Sequence, residues 1–405
     1  LHEQAVQTAR EADKPAPAPL DETLAKAVAE AKQPKEPRVD FAPDGKPRVR
    51  LAETVAAQRA MLEGLRAQSE LPAEAKAKLD PAIAEAQSKL DDPRLAELDP
   101  TLRGEAALVE RGPDRDRCHR DLRGRDRSGM KLSGSDLSRA LLSGANLRGA
   151  DLRGCKLDVT LLSEANLEGA DLRGANLDRC ILLRARLSGA KLDRATIHSA
   201  VLAHAVLDGA SLDGVKGSLF VATGASLVGA KLRGADFLQS DLSEAQLGQA
   251  DFTGAALVRC LLSGAKAHGA VFERAQLGHV SFEGAELVGA KLRKAVGPHP
   301  SFIRADLTRA DFSGAVLPGA HFSEAHGEGC VLDRANLPEA RFYRTRLVAP
   351  RFVGANLMSA DLSLANMPRA RFTDANLFDT KFLQTAGEGC DFVGANLTRS
   401  TLEGA

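Results

Sequence analysis

Six cysteines and nine histidines are the side chains of this 405-residue chain best suited to chemistry. Thiolates serve as nucleophiles or metal ligands, and imidazoles as ligands or proton carriers. Their spacing argues against both uses. No CxxC pair occurs, and Cys155, Cys180, Cys260, Cys330 and Cys390 stand where a repeating pattern otherwise has alanine, so they read as small interior fillers. Cys118 lies outside that pattern and reads as a free thiol. His279 and His299 are twenty residues apart and predict a stacked pair, while His321 and His326 take equivalent places five residues apart. Two such ligands fall short of the three or four of a zinc centre. Nucleophile elbows, Walker loops and a strand-to-helix GxGxxG are missing. The reading is of a non-enzyme with neither cofactor nor metal.

The pattern that places these residues has a period of five. In "GANLRGADLRGCKLD", 144–158, the leucines are Leu147, Leu152 and Leu157. A helix would spread leucines five apart around its whole surface, and a straight strand would alternate them between two faces. A backbone that turns a corner once per pentad points all of them at one axis, which is a solenoid. From Leu122 to Leu402 the phase never slips over 57 central positions, and alanine usually stands two residues before each. Small and large interior residues then alternate along a narrow packed tube. Asp or Asn often precedes the leucine, and glycine-containing corner pairs follow it.

Phenylalanine gives the number of sides. Twelve occupy central positions, and eleven share one class at a spacing of ten: Phe252, Phe272, Phe282, Phe302, Phe312, Phe322, Phe342, Phe352, Phe372, Phe382 and Phe392, with Phe237 outside it. Three pentads per coil would scatter them over every wall. Four pentads confine them to two opposite walls, so the predicted tube is four-sided. Gly297 beside Phe302, Gly327 beside Phe322 and Gly387 beside Phe382 suggest that a missing side chain offsets an added ring. Bulges or loops are expected at Val215–Gly224 and at "VGPHP", 296–300.

"ANLEGADLRGANLDR", 165–179, resembles the pentapeptide-repeat proteins, whose A-(D/N)-L-X-X units build a right-handed quadrilateral β-helix. The resemblance covers residues 113–405 and implies a mainly β fold. Fourteen coils at strand spacing, about 4.8 Å each, would make a rod roughly 68 Å long. It also implies two activities known in the family: mimicry of DNA towards a type II topoisomerase, and, in bacteria, association with secretion machinery including type VI effector loading. No motif in the N-terminal third establishes the second. Charge disfavours the first, because residues 113–405 hold 37 Lys and Arg against 33 Asp and Glu, a net of +4, whereas a mimic of that length would approach forty negative charges, roughly one per 1.7 Å.

Residues 1–112 are rich in Ala, Glu, Lys and Pro and predict a proline-linked helical segment. Leu51, Val55, Leu62 and Leu65 share one helical stripe, and Asp80–Pro81 starts a second helix. There is neither a run of 18 apolar residues nor a signal-peptide pattern, which predicts a cytoplasmic protein without a membrane partner. "DRDRCHRDLRGRDR", 114–127, interleaves arginine with aspartate and lacks aromatics, so it reads as a solvated entry coil, not a nucleic-acid platform.

Two walls stand out. Lys191, Lys231, Arg233, Lys291, Arg293 and Lys294 make one the most basic, suited to an acidic partner. Leu238, Val258, Pro318, Pro338, Met358 and Phe378, each just after a core position, make another nearly uncharged. Exposed apolar stripes mark contact surfaces, so the expected function is a scaffold or adaptor that binds a protein partner along this wall. The final coil, left open, offers strand edges for a homodimer.

Overall fold

The computed structural model describes residues 122–404. The helical segment expected over 1–112 and the thiol of Cys118 lie outside the described residues.

The residue before each central position bridges in parallel to the residue twenty later: Asn146 to Asn166, Asn166 to Arg186, Arg186 to Val206. Twenty residues are four pentads, so each coil has four sides. Three backbone N–H groups per pentad bond between coils, as when Leu147 donates to the Asn166 carbonyl (2.7 Å), Gly149 to Glu168 (2.8 Å) and Asn166 to Ala145 (2.9 Å). A fourth closes the corner, Ala150 N–H to the Leu147 carbonyl at 3.0 Å. The fifth N–H, on the residue after the central one, has no place in this ladder. Asp or Asn before the centre supplies its acceptor: Asn166 Oδ1 accepts from Glu168 N–H at 3.1 Å and Asp306 Oδ1 from Thr308 N–H at 2.9 Å. The acidic or amide residue of the motif is thus an Asx turn that completes the coil's hydrogen bonding.

Four walls follow from this register. Wall 1 is centred on Leu142 and every twentieth residue after it, wall 2 on Leu147, wall 3 on Leu152 and wall 4 on Leu157. Central leucines and the alanines between walls are buried along the axis. Where Cys or Thr replaces alanine, its side chain commonly donates to the central carbonyl of the preceding coil, as Cys155 to Leu132 (2.9 Å), Thr160 to Leu137 (2.9 Å) and Thr380 to Leu357 (2.9 Å), while Thr345 donates to Phe342 of its own coil (2.8 Å).

The phenylalanines occupy walls 1 and 3 as the spacing of ten requires. Along a wall they stack, Phe282 on Phe302 at 5.2 Å and 4° and Phe302 on Phe322 at 4.9 Å and 9°. Across the tube they meet edge to face, Phe302 with Phe312 at 5.2 Å and 90°. Both arrangements suit the ring quadrupole, and the 5.2 Å crossing distance shows how narrow the tube is.

Two expectations are corrected. No bulge or loop interrupts 215–224 or 296–300, because Thr196–Lys216, Val201–Val221, Gln276–Val296 and Val296–Val316 all stay twenty apart. What changes is the corner. β1 (Lys216–Ser218) and β2 (Asp236–Leu238) pair in parallel, as do β3 (His326–Glu328) and β4 (Arg346–Val348). Their pentads lack the closing bond of the corner, and at Pro300 and Pro350 no N–H exists to make it.

The glycine pairing is also different. A Cβ at Gly217 would lie 2.7 Å from Ile197 Cγ1, in the central residue of the preceding coil, and 2.9 Å from the Phe220 ring, and one at Gly387 would lie 2.9 Å from Cys390 Sγ. The space is taken by the side chain three residues later, in the alanine slot, and at Gly217 also by Ile197, rather than by a neighbouring central phenylalanine. Phe237, the exception to the spacing rule, packs edge to face on Phe220 at 4.7 Å. At Gly297 and Gly327 volume is not the cause. Their φ angles are 143° and 144°, and a Cβ at Gly327 would lie 2.5 Å from Thr308 N in the coil below.

Gly149, a corner glycine with φ 64°, has open space around its Cβ direction. Gly149→Ala should then cost about 1 kcal/mol, the ordinary left-handed penalty. Gly327→Ala adds a backbone collision and should cost about 3 kcal/mol. Urea unfolding of both variants checks the ranking, and equal midpoints would contradict it.

Candidate partner-binding wall

Wall 4 brings the six predicted apolar residues into one column. The column runs Leu238, Val258, Gly278, Pro298, Pro318, Pro338, Met358, Phe378, one per coil, so Gly278 and Pro298 fill the interval between Val258 and Pro318. Its backbone is continuous: the residues after them donate to the next coil, as Gln239 N–H to Val258 O (3.0 Å), His279 to Pro298 (2.8 Å) and Glu339 to Met358 (2.8 Å). Proline is admitted here because its slot is the one whose N–H is unused by the ladder. Leu238 is 42% and Met358 40% exposed, while Phe378 is half-buried with the Arg399 guanidinium 5.7 Å from its ring centroid. Exposure therefore holds for Met358 and only partly for Phe378.

Beside this column lies another without charge from Ala256 onward: Ala256, Gln276, Val296, Val316, then an asparagine ladder. Asn356 Nδ2 donates to Asn336 Oδ1 (2.7 Å), Asn376 to Asn356 (2.9 Å) and Asn396 to Asn376 (3.1 Å). Wall 4 over these coils is thus two uncharged columns, rigid because each member is fixed by the coil above and below.

Wall 3 holds the predicted basic residues. Lys191, Lys231, Lys291 and Lys294 are exposed. Arg233 and Arg293 are instead engaged, Nε of each donating to Asp251 (2.6 Å) and Asp311 (2.5 Å) in the following coil. Burial pushes Asp311 up, but hydrogen bonds from Ser313 and Arg293 outweigh it and leave the carboxyl below its ordinary value. Asp151, hydrogen-bonded by Arg153, is held at about 2. Much of the wall's positive charge is consumed in these ladders.

Histidine and cysteine take the places expected of them. His279 and His299 stack with centroids 5.5 Å apart, and burial, then the neighbouring His299 and Arg259, lowers the His279 pKa. No group of three metal-ligating side chains occurs among the described residues. Burial raises Cys155 to about 11 and Cys180 and Cys260 to about 12, and Cys330 rises for the same reason.

Sequence reasoning missed a column on wall 1. Leu141, Leu161, Ile181, Val201 and Val221 stand in the slot that elsewhere holds Asp or Asn, on five successive coils, and Leu261 returns after Asp241. Ser143, Ser163, Leu183, Ala203 and Thr223 run beside them, so this face is uncharged as well. The signal was available as doublets of apolar residues twenty apart, Leu141–Leu142, Leu161–Leu162, Ile181–Leu182 and Val201–Leu202.

The geometry defines a class of protein: a four-sided β-solenoid whose outer surface is a set of independent chemical columns. The sequence matches the pentapeptide repeats in successive segments, 128–158, 160–198, 180–216, 223–257, 255–293, 305–347, 340–379, 355–386 and 370–405, more than half of the chain. The chain belongs to the pentapeptide-repeat family, and its fold is a right-handed β-helix. Among solved structures it is similar to HetL, a pentapeptide-repeat protein involved in heterocyst differentiation regulation in the cyanobacterium Nostoc sp. strain PCC 7120, at 24% identity over 71% of this chain and 89% of that one, TM-score 0.23. It is similar to QnrB1, a plasmid-mediated fluoroquinolone resistance protein, at 20% identity over 45% and 92%, TM-score 0.28. Rfr23 from the cyanobacterium Cyanothece 51142 aligns at 25% over 29% and 84%, TM-score 0.19. These superpositions are too loose to add to the family match. No curated protein matches the chain. No helix among the described residues is long and apolar enough to cross a membrane.

Two predictions follow from the titrating groups. Cys155, Cys180, Cys260 and Cys330 should resist maleimide at pH 7.5 in the folded protein and react fully in denaturant, as followed by mass spectrometry; rapid native labelling of these four would contradict the burial. The lowered aspartates contribute stability above their unfolded value and lose it as pH falls through their folded values. The melting temperature should therefore hold above about pH 4 and drop between about pH 4 and 2. Asp251→Asn with Asp311→Asn should shrink that drop, and an unchanged profile would remove these ladders as its cause.

Proposed function

We propose that this protein is a non-catalytic scaffold or adaptor that holds a protein partner along wall 4. The observation that carries the reading is the apolar column from Leu238 to Phe378, joined from Ala256 onward by a second uncharged column, on a rod where Arg233, Arg293 and Arg351 of wall 3 lie in ion-pair ladders. Eight residues, one per coil at about 4.8 Å, give a track roughly 34 Å long. Because each residue is fixed from above and below, binding would cost little ordering of the rod itself. Leu238, Val258, Pro318, Pro338, Met358 and Phe378 are its contact residues; the exposed lysines Lys191, Lys231, Lys291 and Lys294 are secondary contacts for acidic groups. A cytoplasmic setting, and service beside secretion machinery such as type VI effector loading, fit a passive adaptor of this kind. The topoisomerase-directed alternative gains nothing from a surface on which Asp151, Asp171, Asp251, Asp311 and Asp333 are each bound by arginine.

Co-purification from native extract tests the reading with Pro338→Asp and Met358→Asp combined. Phe378 is left intact because Arg399 covers it. A protein enriched by the wild-type chain should fall at least tenfold with the variant, while circular dichroism stays unchanged. Retention of the same proteins by both would overturn wall 4 as the contact surface.

A further inference from the structure

From Ser301 on, wall 1 changes character. The column that is aliphatic at Leu141–Val221 here reads Ser301, His321, Arg341, Asp361 and Lys381, each bridged in parallel to the next. Ser323 and Tyr343 stand beside it, and the corner toward wall 4 contributes Glu339. Together they line a groove of about 770 Å³, within the range of small-ligand clefts, and no aliphatic residue takes part in it.

The groove holds polar groups that the fold leaves over. Elsewhere a charge meets its opposite along the rod, as Arg304 meets Glu283 and Arg351 meets Asp333. Arg341, Asp361 and Lys381 alternate in sign one coil apart, yet the side chains of Arg341 and Lys381 make neither an ion pair nor a hydrogen bond among the described residues. His321 and Arg341 also stand where Asp or Asn would accept the N–H two residues on, so the N–H groups of Ser323 and Tyr343 have no acceptor among the described residues. Ser363, one coil beyond Tyr343 and 7% exposed, has an Oγ without a partner among them, and a buried hydroxyl in that state calls for one. Burial, then the neighbouring Arg341, lowers the His321 pKa against the opposing pull of Glu283, and its Nε2 shares a hydrogen bond with Ser323 Oγ at 2.8 Å, so it is a neutral imidazole at pH 7. Arg341 and Lys381 are then balanced by Glu339 and Asp361.

We propose that this groove on wall 1 binds a neutral oligosaccharide. The charge pattern selects against a charged ligand, because an anion drawn to Arg341 or Lys381 meets Asp361 between them, and a cation drawn to Asp361 meets a cation on either side. A hydroxyl suits both signs, since it accepts from a guanidinium, an ammonium or a backbone N–H and donates to a carboxylate. Neighbouring hydroxyls of one sugar ring can therefore serve Arg341 and Asp361 together, which no group of this chain does. Tyr343, the single tyrosine of the chain, is 36% exposed in the groove and held by the Arg344 guanidinium, 5.1 Å from its ring centroid. It presents an apolar ring to the C–H face of a sugar and a hydroxyl to its rim. Length selects an oligomer over a single sugar, as the five column residues span four coil steps, about 19 Å at about 4.8 Å each. The groove is separate from the apolar column of wall 4, so this inference goes beyond the adaptor reading and does not depend on it.

Isothermal titration of the full chain with cellohexaose, maltohexaose, mannohexaose and N-acetylated chitohexaose tests it. At least one should bind with a dissociation constant of about 1 mM or tighter. Arg341→Ala and Tyr343→Ala, which remove exposed side chains and leave the core intact, should each weaken that binding at least about tenfold with circular dichroism unchanged. Val201→Lys, farther up the same wall, should leave it as it was. Raising sodium chloride from about 50 to about 500 mM should change the affinity less than about twofold, as a neutral ligand requires. Absence of binding by all four hexaoses at about 5 mM overturns the proposal. Tighter binding of inorganic phosphate or of oligogalacturonate than of any hexaose overturns the neutral ligand class, and an affinity that survives both alanine variants overturns the groove as the site.

Discussion

Everything in this rod depends on one constraint: each backbone N–H along a wall must find its acceptor in the coil twenty residues away. That requirement fixes the period and leaves no freedom to slip, since a shift of one residue would move every leucine out of the interior. It also leaves one N–H per pentad unserved, and the chemistry of the outer surface grows from how that group is handled. An Asp or Asn two residues earlier accepts it, or an Asp of the preceding coil does, as Asp208 for Val228; proline removes it, and an aliphatic residue in the slot, as along wall 1, offers it nothing. A repeat motif often described by its residues is here a list of solutions to one hydrogen-bonding problem.

The interior was legible because it is governed by volume and period alone. Phenylalanines ten apart give four sides, and cysteines in alanine slots give burial. The corners were not legible at the same level. "VKGSLFVATG" looks like a broken repeat because Gly217 and Ala222 fail the rule for central residues, yet the ladder at Lys216 and Val221 is intact. Hydrogen bonds between main chains do not see the side chain, so the coil passes through and Phe220 fills the space from the alanine slot. The glycines at 297 and 327 answer to backbone angle, a property that composition cannot display.

Surface charge shows a similar gap between counting and geometry. Six basic residues on one wall suggest a positive field, but Arg233 and Arg293 are each turned along the rod axis toward an aspartate eighteen residues on. The pairing is local and repeats because the scaffold repeats. Such exposed pairs add little stability individually, and their larger effect is to flatten the potential of the wall. What remains for recognition is whatever the ladders leave over: isolated lysines on wall 3 and uncharged columns on walls 1 and 4.

Columns, rather than contiguous sequence, are therefore the units in which a solenoid of this kind carries function. Neighbours along a column are twenty residues apart in the chain and about 4.8 Å apart in space, so a substitution at one position meets only two others on its wall. Core and surface can then change separately: Met358 or Ile181 can be exchanged without touching Leu357 or Leu182 behind it. This separability explains why the fold says so little about activity. It also explains why the wall 1 column escapes a reading made in pentads, where each of its members looks like a single tolerated deviation, and becomes evident only when residues are compared at the period the backbone imposes.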